Sequence, residues 1–193
     1  MSVDPLYLFV FLGLFSPGPN VILLTSSGAR FGFRATVPHL LGVAAGVGVT
    51  SGLTGLGIGA ILLAYPALKL TLSILASGWI LWMAWGLWNA RRKTAEAEAR
   101  PMTFVEAVLF QWVNPKVWAV ALTAASAYPG GQGPLSEALR LASAFLGINL
   151  GVCLFWTGAG ALLAYLLTTP LAWRVFNRAM AVALAGFSVM VFL

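Results

Sequence analysis

The sequence predicts an all-α integral membrane protein in which six transmembrane helices form two inverted three-helix repeats, with helices 1 and 4 broken. Composition is the first reason: of 193 residues, 60% are hydrophobic and 8% are charged, whereas a soluble domain carries about 25% charged residues. The second reason is a series of six apolar segments, each long enough to cross a bilayer core, which takes about 20 residues. The third is a pair of proline-containing breaks in the first and fourth segments.

Helix caps, prolines and polar loops delimit the six predicted spans. They cover residues 5–27, 37–64, 66–89, 103–128, 136–167 and 172–193. Asp4 followed by Pro5 is a cap with proline at the first helical position, and Thr36 is predicted to cap span 2. Thr103 and Glu106 form a capping box that starts span 4. The N-terminus has no basic segment and no cleavage site follows it, so span 1 is predicted to be retained rather than removed as a signal peptide.

The six spans form one predicted transmembrane domain, residues 1–193, with two halves. The first three-helix repeat covers residues 1–90 and the second covers residues 103–193. Residues 91–102 between them contain the only strongly polar run and are predicted to be a cytoplasmic linker. Because each half has three spans, the two halves must cross the membrane in opposite directions.

Lysine and arginine are distributed unevenly between the two sides of the predicted spans. The loops after spans 1, 3 and 5 hold eight of them: Arg30, Arg34, Arg91, Arg92, Lys93, Arg100, Arg174 and Arg178. The opposite side holds Lys69 and Arg140. Since cytoplasmic loops carry the excess of basic residues, both termini are predicted to lie on the outer (periplasmic) side.

Spans 1 and 4 are interrupted at similar depths. The breaks are Ser16-Pro17-Gly18-Pro19-Asn20 and Asn114-Pro115-Lys116, each about 16–18 Å along its span at 1.5 Å per residue. Proline removes a backbone donor, and non-helical backbone at membrane depth persists only where protein covers it or a polar cavity lies beside it. Interrupted helices at corresponding positions of two inverted halves are typical of a transporter's binding site.

The chemistry of these breaks suits a zwitterionic substrate. Ser16-Pro17 and Asn114-Pro115 each resemble a cap followed by proline, and the N-terminus of a half-helix suits a carboxylate. The carbonyls freed at Gly13, Phe15 and Gln111 are acceptors for an ammonium group. Lys116 adds a full charge near the midplane, where insertion costs about 2.5–3.5 kcal/mol. The predicted substrate-binding residues are Ser16, Pro17, Gly18, Pro19, Asn20, Asn114, Pro115 and Lys116.

Other roles and site types compete with this one. Lys116 has a structural alternative, in which its ammonium binds carbonyls freed by Pro17 and Pro19 and holds the halves together. Enzyme chemistry is disfavoured because the single histidine, His39, lies near a predicted membrane edge, away from any midplane nucleophile. The membrane interior lacks carboxylates, and the single cysteine, Cys153, is predicted to be a packing residue. We therefore predict no catalytic residue, no metal site and no cofactor.

The predicted partners are a small-molecule substrate and the lipid bilayer. The net charge of +6 resides in short loops between spans rather than on a basic face, so no nucleic-acid partner is predicted. Span 2 carries three small-residue motifs, Gly42-x-x-x-Gly46, Gly48-x-x-x-Gly52 and Gly55-x-x-x-Gly59, which permit close helix packing. Packing within the chain is the favoured interpretation, with a homodimer face as the alternative.

The same residues resemble a known family. Pro17-Gly18-Pro19-Asn20, the Leu41-Gly42-x-x-x-Gly46 run, an aromatic span 3 ending in Gly86 and Arg91-Arg92, and Asn114-Pro115-Lys116 resemble the lysine exporter (LysE/RhtB) family of bacterial amino-acid efflux proteins. The resemblance covers essentially the whole chain. It implies that the residues around both breaks are functionally central. It also implies export of amino acids or their derivatives across the bacterial inner membrane, coupled to the proton motive force. The glycine that often follows the start of helix 4 in that family is absent here, where Val105-Glu106-Ala107 stands.

The predicted function is therefore a secondary transporter that exports amino acids or their derivatives from the cytoplasm by alternating access. Two alternatives stay open. One is an exporter of another small organic solute or cation, although the lack of midplane carboxylates and cysteine clusters disfavours metal ions. The other, from a different class, is a non-transporting membrane assembly protein, which would not need matched breaks at the midplane.

Overall fold

A computed structural model of the chain describes residues 4–58, 64–90, 100–131 and 133–190. Across these ranges the secondary structure is helical, with eight helices that we number in chain order. They are α1 Pro5–Phe15, α2 Pro19–Phe31, α3 Phe33–Gly55, α4 Pro66–Asn89, α5 Phe104–Val113, α6 Pro115–Ala127, α7 Pro134–Leu166 and α8 Pro170–Met190. The all-α prediction is confirmed for this part of the chain.

Length and apolar composition qualify three of the described helices, and one bent pair, to cross a membrane. The three are α3, residues Leu70–Asn89 of α4, and α7; the pair is α1 and α2, which meet at a bend of 58°. Helix α5 is apolar but has only 10 residues, because the chain breaks at Asn114. Helix α8 carries Arg174, Asn177 and Arg178 in its first half, which lower its hydropathy. The chain is thus a multi-pass helical membrane protein with three or four candidate spans among the described residues, and the count of six remains a prediction.

The structure corrects several predicted boundaries. The basic loop expected between spans 1 and 2 is the single residue Gly32, whose φ of 84° lets α3 start directly after α2. Thr36 therefore lies inside α3 and donates to Gly32 O rather than capping the helix. Helix α3 ends at Gly55, before residue 64 where span 2 is predicted to end, because Gly57 has a φ of 91°, which a helix cannot accommodate.

Other boundaries agree with the sequence. Helix α4 has its predicted bounds. Asp4 accepts a hydrogen bond from Leu6 N at 2.9 Å, and the Thr103–Glu106 capping box is formed. Parts of five predictions lie outside the described residues: residues 59–63 of span 2, Gly59 of the third glycine motif, the linker at 91–99 with three of its basic residues, the side chain of Lys69, and the last three residues of span 6.

Helix α7 is the packing centre of the molecule. It has 33 residues, about 50 Å at 1.5 Å per residue and so longer than a bilayer core. Its most extensive contacts are with α3 and α2, and it also touches α1 and α6. Helix α3 packs in turn against α5, while α4 and α8 pair with each other and reach the remainder through α2 and α5.

The glycines of α3 are used within the chain, as predicted. Those of the first motif face α5: a Cβ added at Gly42 would lie 2.8 Å from Ala107 Cβ. Those further along face α7: a Cβ at Gly48 would lie 2.9 Å from Leu146 Cβ. Because glycine lets backbones approach closely, the two glycine faces bring α5 and α7 onto opposite sides of α3.

A group of charged residues joins three helix ends at one side of the bundle. Arg140 near the start of α7 pairs with Glu137 at 2.8 Å and with Asp4, the cap of α1, at 3.7 Å. The same guanidinium donates to the carbonyl of Tyr128, which ends α6. These contacts tie together the starts of α1 and α7 and the end of α6.

Candidate functional site

The two predicted breaks are present and differ in local geometry. Helix α1 ends at Phe15, and the hydroxyl of its C-cap, Ser16, donates a hydrogen bond to Gly13 O at 2.9 Å. Helix α2 begins after Gly18, with Pro19 at its first position. The cap of α2 is therefore Gly18 rather than Ser16, which corrects the prediction. The second break is the single residue Asn114, whose side chain accepts from Lys116 N at 3.2 Å, as predicted for a cap followed by Pro115.

Lys116 joins the two breaks directly. Its ammonium donates to the carbonyl and, at 2.9 Å, to the hydroxyl of Ser16, and to Pro17 O at 3.1 Å. The C-terminus of α1 carries negative partial charge, so a cation is favoured there. The carbonyl contacts of the structural alternative are thus present, but at Ser16 and Pro17 instead of the carbonyls at Gly13 and Phe15.

Gly18 lets the Lys116 side chain pass close to the first break. A Cβ added at Gly18 would lie 2.7 Å from Cδ and 2.9 Å from Nζ of Lys116, so the flexible lysine side chain would have to shift. The backbone conformation of Gly18 is extended, with φ of −177°, and is open to any residue. The contact with the lysine, rather than an unusual backbone angle, therefore favours glycine at this position.

Three amide side chains form a second link between the breaks. Gln111 and Asn20 exchange hydrogen bonds at 2.8 and 3.2 Å, and Asn114 donates to Gln111 Oε1 at 3.2 Å. Gln111 also donates to Ala107 O one turn back, at 2.9 Å. Gln111 is fully buried, and Gly46 of α3 makes room for it, since a Cβ there would lie 2.7 Å from Gln111 Cγ. Buried amides with all these partners hold both breaks in one arrangement.

A small cavity lies beside the two links. Its volume is about 20 Å³, enough for a water molecule but not for an amino acid. Gly18 and Asn20 line it from the first break, and Asn114 and Lys116 from the second. Asn149, Val152, Cys153 and Trp156 of α7 line the facing side, and Leu14, Val21, Leu24 and Val117 complete it.

The predicted site residues have three kinds of position in this arrangement. Gly18, Asn20, Asn114 and Lys116 line the cavity. Pro19 and Pro115 occupy the first positions of α2 and α6 and set where those helices start. Ser16 and Pro17 are outside the lining and serve as acceptors for Lys116.

Sequence reasoning missed three residues. Gln111 was considered for its carbonyl, which accepts instead from Asn114 N at 3.3 Å, while its side chain carries the amide network. Asn149 and Trp156 were not considered. Asn149 is one polar residue in an apolar segment, and that is the signal that would have identified it. His39, expected at a membrane edge, is buried in α3 at 2% exposure and is not among the lining residues.

These features define a class. A multi-pass helical membrane protein with two interrupted helices meeting at a small cavity that amide side chains and a lysine help to line, with the lysine cation held between the breaks, has the organisation of a membrane translocator. The family model for the LysE type translocator matches residues 11–193. The chain belongs to the LysE-type translocator family, a family of transport proteins rather than enzymes, in agreement with the resemblance.

Individual relatives are more distant. The chain is 27% identical over 128 residues to a protein of Salmonella choleraesuis (strain SC-B67) named cysteine/O-acetylserine efflux protein, an alignment covering 66% of each chain. It is 32% identical over 114 residues to the protein of that name from Escherichia coli (strain K12), covering 58% of each. The chain therefore spans less than two thirds of the length of these curated relatives. No solved structure matches it.

Proposed function

We propose that this protein exports amino acids or their derivatives from the cytoplasm across the bacterial inner membrane by alternating access, driven by the proton motive force. The observation that carries the proposal is the bridge from Lys116 to Ser16 and Pro17, which joins both helix breaks beside a small cavity lined in part by Asn20, Asn114 and Lys116. A lysine in a membrane span is costly and is a functional candidate by default. The family implies the direction of transport and its energy source.

The helix starts at the cavity differ in how they are capped. At the start of α6, the N–H of Lys116 donates to the side chain of Asn114, which caps the helix. Helix α2 has no side-chain cap at Gly18, and Gly18, Asn20 and Val21 line the cavity. An uncapped helix N-terminus is an anion site. The substrate carboxylate accordingly binds at the start of α2, within reach of the Lys116 ammonium.

Substrate binding and movement are coupled through Lys116. A carboxylate in the cavity competes with the carbonyls of Ser16 and Pro17 for the same ammonium, so binding releases α1 from α6. Because the cavity of about 20 Å³ is smaller than an amino acid, its walls must separate for substrate to enter. A ligand shifts such an equilibrium by its differential affinity for the two states.

The proposed architecture is one transmembrane domain of six spans, with inverted repeats at residues 1–90 and 103–193 and a cytoplasmic linker at 91–102. Spans 1 and 4 are the pairs α1–α2 and α5–α6. Each principal packing contact has a counterpart when spans 1, 2 and 3 are exchanged with 4, 5 and 6. The contacts between spans 1 and 4, between spans 2 and 5, and between spans 3 and 6 are each unchanged by this exchange. The contact between spans 1 and 5 corresponds to that between 2 and 4, the contact 1–6 to 3–4, and the contact 1–2 to 4–5. This exchange supports two equivalent halves.

The predicted topology has a direct test. With both termini on the outer side, alkaline phosphatase fused after Leu193 is expected to be active, and green fluorescent protein fused there is expected to be dark. The same reporters inserted in the linker at residues 91–99 are expected to give the reverse pattern and serve as the matched control. A C-terminal fusion that is fluorescent and lacks phosphatase activity would contradict the orientation.

The substrate class has a transport test. Proteoliposomes preloaded with labelled L-cysteine, O-acetyl-L-serine or L-homoleucine are expected to release at least one of them in response to an imposed proton gradient. Overexpression is expected to protect cells from toxic analogues of the same amino acid. We choose the first two compounds because the efflux relatives are named for them. Transport confined to organic solutes or cations that are not amino acids would favour the first alternative, and the absence of any transport would favour a membrane assembly protein.

A further inference from the structure

One face of α7 looks onto the cavity with two polar groups that no described residue uses. Asn149, Val152, Cys153 and Trp156, which we call the α7 wall, lie at intervals of three and four residues and so share a helix face. Asn149 is 2% exposed, and its Nδ2 has no hydrogen-bond partner in the described part of the chain. The indole Nε1 of Trp156 is likewise buried without a described partner.

Leaving these groups unpaired is costly. A buried donor without a partner loses about 1–3 kcal/mol of desolvation free energy, and an apolar residue at either position would avoid it. The Trp156 ring is held in place by Phe15 and Phe155, with ring centroids at 5.2 and 5.3 Å. Its nitrogen is therefore fixed in orientation at the wall.

The other polar groups of the cavity already have partners. Lys116 binds Ser16 and Pro17, and Asn20 and Asn114 bind Gln111. The lining contains no carboxylate. In the proposed function, which this inference rests on, the charged end of the substrate is held at the helix breaks. The α7 wall then faces the part of the substrate that distinguishes one amino acid from another.

We infer that Asn149 and Trp156 are specificity-determining residues, which donate hydrogen bonds to an oxygen acceptor on the substrate's side chain. Both unpartnered atoms are N–H donors, which suit an uncharged acceptor such as an ester or amide carbonyl. An all-carbon side chain of the same shape would leave both donors unpaired and would be rejected, since sites with buried polar groups discriminate against analogues that lack the matching atom.

The test is the ratio of two affinities. O-acetyl-L-serine and L-homoleucine have side chains of the same length and branching, and only the first carries oxygen. Binding of each is measured by calorimetry on the purified full chain in lipid nanodiscs. Wild-type protein is expected to prefer O-acetyl-L-serine by about 10-fold or more, the value of a buried hydrogen bond. Asn149→Leu keeps the approximate shape of the side chain and Trp156→Phe keeps an aromatic ring, and both remove the donor. Each is expected to bring the ratio close to one.

Thr157→Val is the matched control. Thr157 is the residue after Trp156, is fully buried, and has a hydroxyl with no described partner, but it is not among the lining residues. Its replacement is expected to leave the ratio unchanged. Folding is monitored by thermal unfolding of each variant, and either donor variant suffices if the other fails to fold. A wild-type preference that persists in the folded donor variants would overturn the inference and assign those donors to a bound water. Binding of neither compound by wild type would also overturn the inference, whereas the transport test of the proposed function decides the substrate class separately.

Discussion

Replacing Lys116 with alanine is expected to abolish transport while leaving the protein inserted in the membrane. The substitution removes three hydrogen bonds to Ser16 and Pro17 and the full charge at the cavity. Removing one member of a desolvated charged pair costs about 2–5 kcal/mol, so substrate affinity is expected to fall by at least about 30-fold. Efflux from preloaded proteoliposomes measures the loss, and quantitative immunoblotting of membranes measures insertion.

Arg34→Ala is the matched control for charge. Arg34 is an exposed cation at the start of α3, away from the cavity lining, and its loss is expected to leave efflux near the wild-type level. Lys116→Arg separates the binding role from the structural one. Arginine keeps a cation that can donate to Ser16 and Pro17, but its guanidinium is longer and planar and has to fit beside Gly18. Unchanged efflux in a well-expressed Lys116→Ala protein would remove Lys116 from the site.

Replacing Gly160 with alanine is expected to cause the largest loss of stability among single-methyl additions to α7. The new Cβ would overlap the carbonyl of Thr25 in α2 and would lie 2.9 Å from Thr25 Cα. Because these are backbone atoms, no side chain can move aside, and the two helices must separate. Overpacking of this kind costs about 1–3 kcal/mol or more, which corresponds to a fall in Tm of about 5 °C. Thermal unfolding of purified protein in detergent measures it.

Gly158→Ala on the same helix is expected to change the thermal stability in the opposite direction. A Cβ at Gly158 meets no atom within 4 Å, and alanine is a better helix former than glycine by about 1 kcal/mol. Gly158→Ala is therefore expected to hold or raise the Tm. Equal Tm values for the two variants would contradict the direct backbone contact between α2 and α7.

The local features of the sequence predicted much of this structure. Pro19 and Asn114-Pro115 determine where α2 and α6 begin, and both breaks are where the prolines required them. The Asp4 cap and the Thr103–Glu106 box are interactions between near neighbours, which a sequence pattern encodes directly. The contact between the two breaks was predicted from equal depth in the bilayer, and the bonds of Lys116 to Ser16 and Pro17 confirm it.

Other features depend on contacts that no local pattern encodes. Gln111 and Asn20 are 91 residues apart in sequence, and either amide has other partners available within its own helix. The rotation of α7 decides that Asn149 faces the cavity, and a helix that is apolar on all sides gives no signal of its rotation. The passage of Lys116 next to Gly18 is a contact between residues far apart in the chain, and the sequence alone does not reveal it either.

The lone thiol of the chain has a practical consequence. Cys153 is 1% exposed and belongs to the α7 wall, and the sequence contains no other cysteine. We expect alkylating reagents to reach its thiol only when the walls of the cavity separate, so the rate of alkylation measures how often the site opens. The native protein thus carries a reporter of its transport cycle that needs no engineered label.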